Sequence, residues 1–154
     1  MLLEATRWLN SINQPLWTES DVSWDNLSKR FNYDDFYIAY CNEEPAGCIA
    51  VIDYDPEIWP EIEKGNSLFL HYVVVSRSFA KHGVADELLE FSKQLAHIRK
   101  IPIRLDCNRF RKKLRDLYES HGWVYVGKKY FKEKVYHSAL YIYDIENKKK
   151  LLEE

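Results

Sequence analysis

No apolar run in the sequence approaches the ~20 residues that a membrane-spanning helix needs, so a spanning segment is excluded as a reading of the chain. Cysteine is scarce: Cys41, Cys48 and Cys107 are the three in 154 residues. Their number is odd, no CxxC spacing occurs, and no signal peptide is expected ahead of them. A disulfide framework is therefore not expected; free, mostly buried thiols in a reducing, cytoplasmic setting are. Net charge is nearly absent, at −2 from 24 acids and 22 Lys and Arg. That balance gives no electrostatic ground for nucleic acid or a membrane surface as the main partner. The five histidines have no HxxxH or similar ligand spacing, so no metal is expected. Repeats, low-complexity stretches and linkers are missing too. One domain over residues 1–145, followed by a charged tail over 146–154, accounts for the chain.

What is present is a substantial apolar fraction, 46%, rich in tyrosine and tryptophan, which is enough for a real core. Leu2, Ala5, Leu9 and Ile12 recur at helical spacing, and Gln14-Pro15 ends that helix. A second helix is expected over Trp24 to Phe31, with Ser23 as its N-cap. Phe36 to Cys41 and Cys48 to Ile52 read as a hairpin turning through Asn42 to Gly47. Asp53 to Asn66 is a polar loop. Leu68 to Val75 is a nearly continuous apolar run, as in a strand buried on both faces. Val84, Leu88, Phe91, Leu95 and Ile98 mark one face of a long helix. A short strand follows from Pro102 to Asp106. Leu114, Leu117, Tyr118 and His121 mark a further helix, stopped by Gly122 at C′. Trp123 to Val126 and Ser138 to Tyr143 are the last strands, joined by a polar, basic connection from Gly127 to His137. This order predicts an α/β (α+β) fold with a mixed central sheet.

The joint from Val75 to Leu89 carries the first chemical signal. A buried strand ends, a short basic turn follows, and a long helix opens at Gly83. A helix N-terminus presents unpaired N–H groups and a partial positive charge, which suits phosphate. Gly83 permits close backbone approach, and Lys81 and His82 add donors. An ordinary strand-to-helix turn would read the same way locally.

From Leu70 to Gly127 the pieces come in a telling order. They are Val73-Val74-Val75, then Ala80-Lys81-His82-Gly83-Val84-Ala85, then Asp86-Glu87-Leu88-Leu89. Arg104-Leu105-Asp106-Cys107 follows, and finally Leu114 to Trp123 with Tyr118 just ahead of Gly122-Trp123. In order and spacing this resembles the GNAT N-acetyltransferases. Four departures stand out. Ala80 replaces the family's Arg or Gln, Lys81 stands where Gly is common, and Arg111 stands where relatives carry asparagine. The chain also begins on a helix where the family begins on a strand.

The resemblance implies a GNAT-like acyl-CoA N-acyltransferase fold and acetyl-CoA as co-substrate. It implies cofactor contacts at Val73, Val74, Val75, Lys81, His82, Gly83, Val84, Ala85, Asn108 and Leu114. It implies direct attack by an amine, with Tyr118 assisting the leaving thiolate. The acceptor is expected to be a primary amine on a small molecule, and a homodimer is compatible with the family. A non-catalytic CoA-binding domain and a protein N-terminal or lysine acetyltransferase are the alternatives.

The general base is open among Asp53, His71, Tyr72, Asp106 and ordered water. Cys107 has no His–Asp partner at a relay spacing, so a thiolate intermediate is not expected. Asp53, Asp55, Glu57, Glu61 and Glu63, with Trp59 among them, read either as a solvated loop or as a rim that draws a cationic amine.

Overall fold

Residues 1–146 are described in a computed structural model of the chain. The expected tail lies outside them apart from Glu146. The elements are α1 (Leu2–Ser11), α2 (Trp24–Leu27), β1 (Phe36–Cys41), β2 (Glu44–Ile52), β3 (Leu68–Val75), α3 (Val84–Arg99), β4 (Ile103–Asn108), α4 (Lys112–Ser120), β5 (Val124–Phe131) and β6 (Tyr136–Tyr143). The strands form one sheet in the order β1-β2-β3-β4-β6-β5. β3 pairs with β4 in parallel, and the pairs β1/β2, β4/β6 and β5/β6 are antiparallel. The expected mixed sheet is therefore present. By its contacts the chain falls into two units, Met1–Ile52 with His71–Leu88, and Asp53–Leu70 with Leu89–Glu154.

In the first unit the β1–β2 turn is tighter than the sequence suggests. Asn42 and Glu43 alone make it, at φ 49° and 67°, and Cys41 pairs with Glu44. Two consecutive left-handed residues match the twist of the strands they join. Pro45 to Gly47, expected in the turn, belong to β2, and a register shift between Ala39 and Tyr40 accommodates them. The expected helix from Trp24 to Phe31 is α2 alone, one turn long, continued by hydrogen-bonded turns to Phe31. Ser23 sits at its N-cap, but its hydroxyl donates back to the Ser20 carbonyl at 2.7 Å and caps nothing. Leu27 and Phe31 are buried regardless of helix length.

The second unit corrects two further expectations. α3 spans the expected residues, yet Phe91 and Ile98 are 36% and 74% exposed. Its buried stripe beyond Leu88 is Leu89, Ser92, Lys93 and Ala96. Polar residues hide on that face because each is satisfied. The Ser92 hydroxyl donates to the Leu89 carbonyl at 2.7 Å, and the Lys93 ammonium donates to the His121 carbonyl at 3.0 Å and pairs with Glu90. The basic stretch from Gly127 to His137 is mostly strand. β5 and β6 reach Phe131 and Tyr136, leaving a short turn, with a register shift between Tyr125 and Gly127. Lysine on β5, an edge strand, obscured the strand pattern, and such charges also discourage edge-to-edge aggregation.

α4 ends as the sequence predicts. Gly122 has φ 92°. Its N–H donates to the Glu119 carbonyl at 3.1 Å, and the Trp123 N–H donates to the Tyr118 carbonyl at 3.1 Å. These are the two bonds of a Schellman stop.

Gly47 is the tightest packing point in the first unit. A Cβ there would stand 2.8 Å from the Val74 carbonyl oxygen, 2.9 Å from Val84 and 3.0 Å from Leu88. Gly47→Ala is therefore expected to overpack this contact and lower stability by about 1–3 kcal/mol. The expected signature in urea is a lower midpoint with an unchanged slope. An unshifted midpoint would mean that this packing yields freely.

Candidate active site

The site's backbone is built on the end of β3. β3 pairs with β4 over Leu68↔Ile103 and Phe69↔Arg104. Tyr72 then adopts φ 52°, a left-handed conformation rare for a bulky residue. Such a conformation costs about 1–3 kcal/mol and persists only where its surroundings enforce it. Here rings enforce it: Trp17, Phe31 and Phe36 have centroids 5.2, 5.4 and 6.4 Å from that of Tyr72. The kink re-aims the backbone of Val73, Val74 and Val75. Val74 is buried, while Val73 and Val75 are half-buried. Nothing in an apolar run of eight residues signals a kink, and the sequence reading missed it.

The loop after β3 is anchored by α1. Glu4 accepts hydrogen bonds from the Arg77 N–H at 3.1 Å and the Ser76 hydroxyl at 3.4 Å. The Arg77 guanidinium lies 4.0 Å from the centroid of the Trp8 ring. A cation over an aromatic face is held by the ring quadrupole.

The loop then winds into α3 through two left-handed residues, Lys81 at φ 63° and Gly83 at φ 78°. Lys81, His82 and Gly83 are exposed, and a Cβ on Gly83 would meet nothing within 4 Å. The His82 ring turns back, its Nδ1 at 2.9 Å from the Ala80 carbonyl oxygen. Val84 and Ala85 open α3, whose first-turn N–H groups have no intrahelical acceptor. Space, left-handed backbone and the head of a helix are the geometry that suits an anion.

Tyr118 lies in the second unit, buried on α4 against the rings of Trp123 and Tyr141, each 6.3 Å away between centroids. Burial holds its phenol far above the ordinary tyrosine range, and nearby Cys107 and Asp106 push the same way. It stays a neutral O–H donor throughout the accessible pH range. The Cys107 thiol is pushed up to about 12, first by burial and then by Asp106, which leaves no thiolate for a covalent role. Asp106 accepts a hydrogen bond from Ser138 at 2.6 Å. Arg115 donates to the Tyr141 hydroxyl at 2.7 Å, which donates to Glu119 at 2.8 Å. β4, α4 and β6 thus gather Asp106, Cys107, Tyr118 and Ser138.

The remaining candidates fall as follows. The Asn108 side-chain oxygen accepts the Phe110 N–H at 2.9 Å, so it shapes the turn into α4. Leu114 is half-buried on α4, and Arg111 occupies the N-cap position without a side-chain cap. His71 is half-buried, its ring edge-on to Phe31 at 5.6 Å. Asp53 is half-buried, and its carbonyl accepts the Gly65 N–H at 3.0 Å.

The acidic loop is divided: Glu57, Glu61 and Glu63 are exposed, whereas Asp55 and Trp59 are not. Asp55 and Trp59 are 1% and 4% exposed. Trp59 packs near Phe69 and Arg104, and Glu57 pairs with Lys134 at 2.7 Å. Among the described residues no cluster suits a metal ion, and no helix is long and apolar enough to cross a membrane.

Comparison with known proteins agrees with this geometry. The model of the acetyltransferase (GNAT) family matches residues 3–123. YesJ, an uncharacterized N-acetyltransferase of Bacillus subtilis, is 23% identical over 134 residues, which cover 82% of this chain and 74% of that protein. A GNAT family acetyltransferase from Listeria monocytogenes shares the fold at a TM-score of 0.71 and 22% identity, over 94% of this chain and 86% of that one. A GNAT acetyltransferase from Elizabethkingia anophelis, solved with acetyl-CoA bound, aligns at a TM-score of 0.66 and 14% identity, over 81% of this chain and 85% of that one. On the family match across most of its length, the chain belongs to the GNAT acetyltransferase family.

Proposed function

We propose that this chain transfers the acetyl group of acetyl-CoA to the primary amine of a small molecule by direct attack. The observation that carries the proposal is the kinked end of β3 running through a left-handed loop to the open space around Gly83 at the head of α3. A relative of this fold solved with acetyl-CoA bound supports the choice of co-substrate.

Acetyl-CoA supplies an activated acyl carbon and a thiolate leaving group. In the first unit, the loop from Lys81 to Ala85 holds the pyrophosphate through backbone N–H groups and the Lys81 charge. Ala80 supplies no side-chain donor, so the backbone carries most of that load. A backbone N–H near Val73 to Val75 donates to the carbonyl oxygen as negative charge gathers there. The neutral amine forms its bond to the carbonyl carbon and then loses a proton to solvent or a nearby base, while the carbon–sulfur bond breaks. In the second unit, Tyr118 donates its O–H to the departing sulfur. Tyr118 favours catalysis over a purely cofactor-binding role, because a buried neutral phenol beside Cys107 and Asp106 adds nothing that phosphate binding requires.

Two substitutions test this reading. Gly83→Val forces a β-branched residue into a left-handed conformation, at a cost of about 1–2 kcal/mol, without a steric clash. Affinity for acetyl-CoA by calorimetric titration is expected to fall by about tenfold or more, while the melting temperature falls by only a few degrees. An unchanged dissociation constant would remove the pyrophosphate from this loop.

Tyr118→Phe removes one hydrogen bond to a developing anion, worth about 1.5–3 kcal/mol. The expected result is a kcat lower by roughly 10- to 100-fold with acetyl-CoA affinity retained. Full turnover by the mutant would leave Tyr118 as a packing residue.

A further inference from the structure

A second concave site lies wholly within the second unit, on the β5–β6 hairpin. It is a cavity of about 330 Å³ lined by Arg109, Lys128, Lys129, Tyr130, His137 and Ser138. That volume suits a small molecule. One wall is flat and aromatic: Tyr130 and His137 stack with centroids 4.4 Å apart at 26°, and Phe110 meets His137 edge-on at 5.4 Å.

The charges on this cavity are one-sided. Arg109 uses its backbone, donating its N–H to the His137 carbonyl at 2.9 Å and accepting from Arg115. Its guanidinium lies over the Phe110 ring at 5.6 Å and has no carboxylate partner among the described residues. Lys128 is exposed and likewise forms no ion pair among them. Lys129 donates to the Glu57 and Ile58 carbonyls, neutral acceptors that leave its charge uncancelled. The Ser138 hydroxyl is engaged by Asp106 at 2.6 Å. Arg109, Lys128 and Lys129 thus bring three cations to the lining.

Another cavity offers no such field. About 320 Å³ in volume, it is lined by Leu16 and Trp17 among others, together with Glu19 and Asp21. Glu19 is paired with Arg7 at 2.7 Å, and Asp21 accepts the Thr18 N–H at 2.8 Å.

Resting on the acetyltransferase reading, we propose that the hairpin cavity binds an anionic group of the acceptor, so that the substrate is a small amine bearing a carboxylate or a phosphate. Lys128 and Arg109 neutralise that group, and the Tyr130–His137 wall packs on its carbon skeleton. This polarity differs from the cationic acceptor expected from the acidic loop, of which Asp55 and Trp59 are buried and Glu57 is paired. A nucleic acid does not fit a site this small in a chain of net charge −2.

The test uses the whole chain with acetyl-CoA and three acceptor sets: β-alanine and related amino acids, their primary amides, and O-phosphoethanolamine. Lys128→Glu and Arg109→Ala are assayed beside the unchanged protein. The expected result is a kcat/KM for the carboxylate or the phosphate set at least tenfold above the amides. Lys128→Glu is expected to abolish that preference by raising KM about tenfold or more, with KM for acetyl-CoA unchanged. Whichever anionic set leads identifies the group.

Turnover with amides equal to or better than the anionic sets overturns this proposal and leaves the acetyltransferase reading intact. A Lys128→Glu effect on acetyl-CoA alone would assign the cavity to the cofactor's phosphates and also overturn it. If no amine is acetylated, the catalytic reading fails. Ligand-observed NMR with N-acetyl-β-alanine and its amide then decides the cavity separately: carboxylate-selective binding lost in Lys128→Glu supports it, and absence of selectivity sinks it.

Discussion

The site depends on keeping Tyr72 left-handed in the middle of a strand. A straight β3 would direct Val73, Val74 and Val75 along the regular sheet path. The kink at φ 52° turns them instead. Strain of this kind relaxes unless it is enclosed. The enclosure comes from far along the chain: Trp17 from the loop after α1, Phe31 from the turns after α2, and Phe36 from the start of β1. The N-terminal third of the molecule therefore acts on the site through a cage of rings, although the phosphate cradle lies elsewhere in the sequence.

The first helix also acts on this region. α1 supplies Glu4 and Trp8, which grip the segment after β3 at Ser76 and Arg77. The cradle at Lys81 to Ala85 follows within a few residues. An anion cradle made of backbone N–H groups needs its loop geometry fixed in advance, because each group must point inward before the ligand arrives. Ala80 removes a side-chain donor from the loop, so geometry matters more here than in relatives with Arg or Gln. Asp86 and Glu87, exposed in the first turn of α3, suit the helix dipole while opposing an incoming phosphate. The anchored loop must overcome that opposition.

Legibility from sequence followed the locality of each signal. The mixed sheet, α3, the Schellman stop at Gly122 and the buried Tyr118 could all be read, since each rests on a short pattern with one physical meaning. The β5–β6 hairpin was shortened because lysines on an edge strand look like loop chemistry. The face of α3 was misjudged because Lys93 and Ser92 hide where periodicity expects apolar residues, satisfied by partners the sequence cannot show. Trp59 seemed free for a ligand, but its burial near Phe69 and Arg104 is a tertiary fact. The kink at Tyr72 had no local signature, because its cause is three aromatic rings distant in sequence.

Tyr118 shows how burial restricts the chemistry open to it. A phenol ordinarily near pKa ~10 is already a poor proton donor to a thiolate whose thiol ionises near ~8.5, by about 2 kcal/mol. Burial widens that gap, and Cys107 and Asp106 widen it further. Outright transfer of the proton is therefore disfavoured, but a hydrogen bond to sulfur is not. Such a bond strengthens as charge builds on the leaving atom and gains from a site that excludes water. The buried setting that makes Tyr118 a weak acid thus keeps it a neutral donor. In the role proposed for it, its contribution would follow the charge on the sulfur, and the pH dependence of the rate would originate in the amine and whatever accepts its proton.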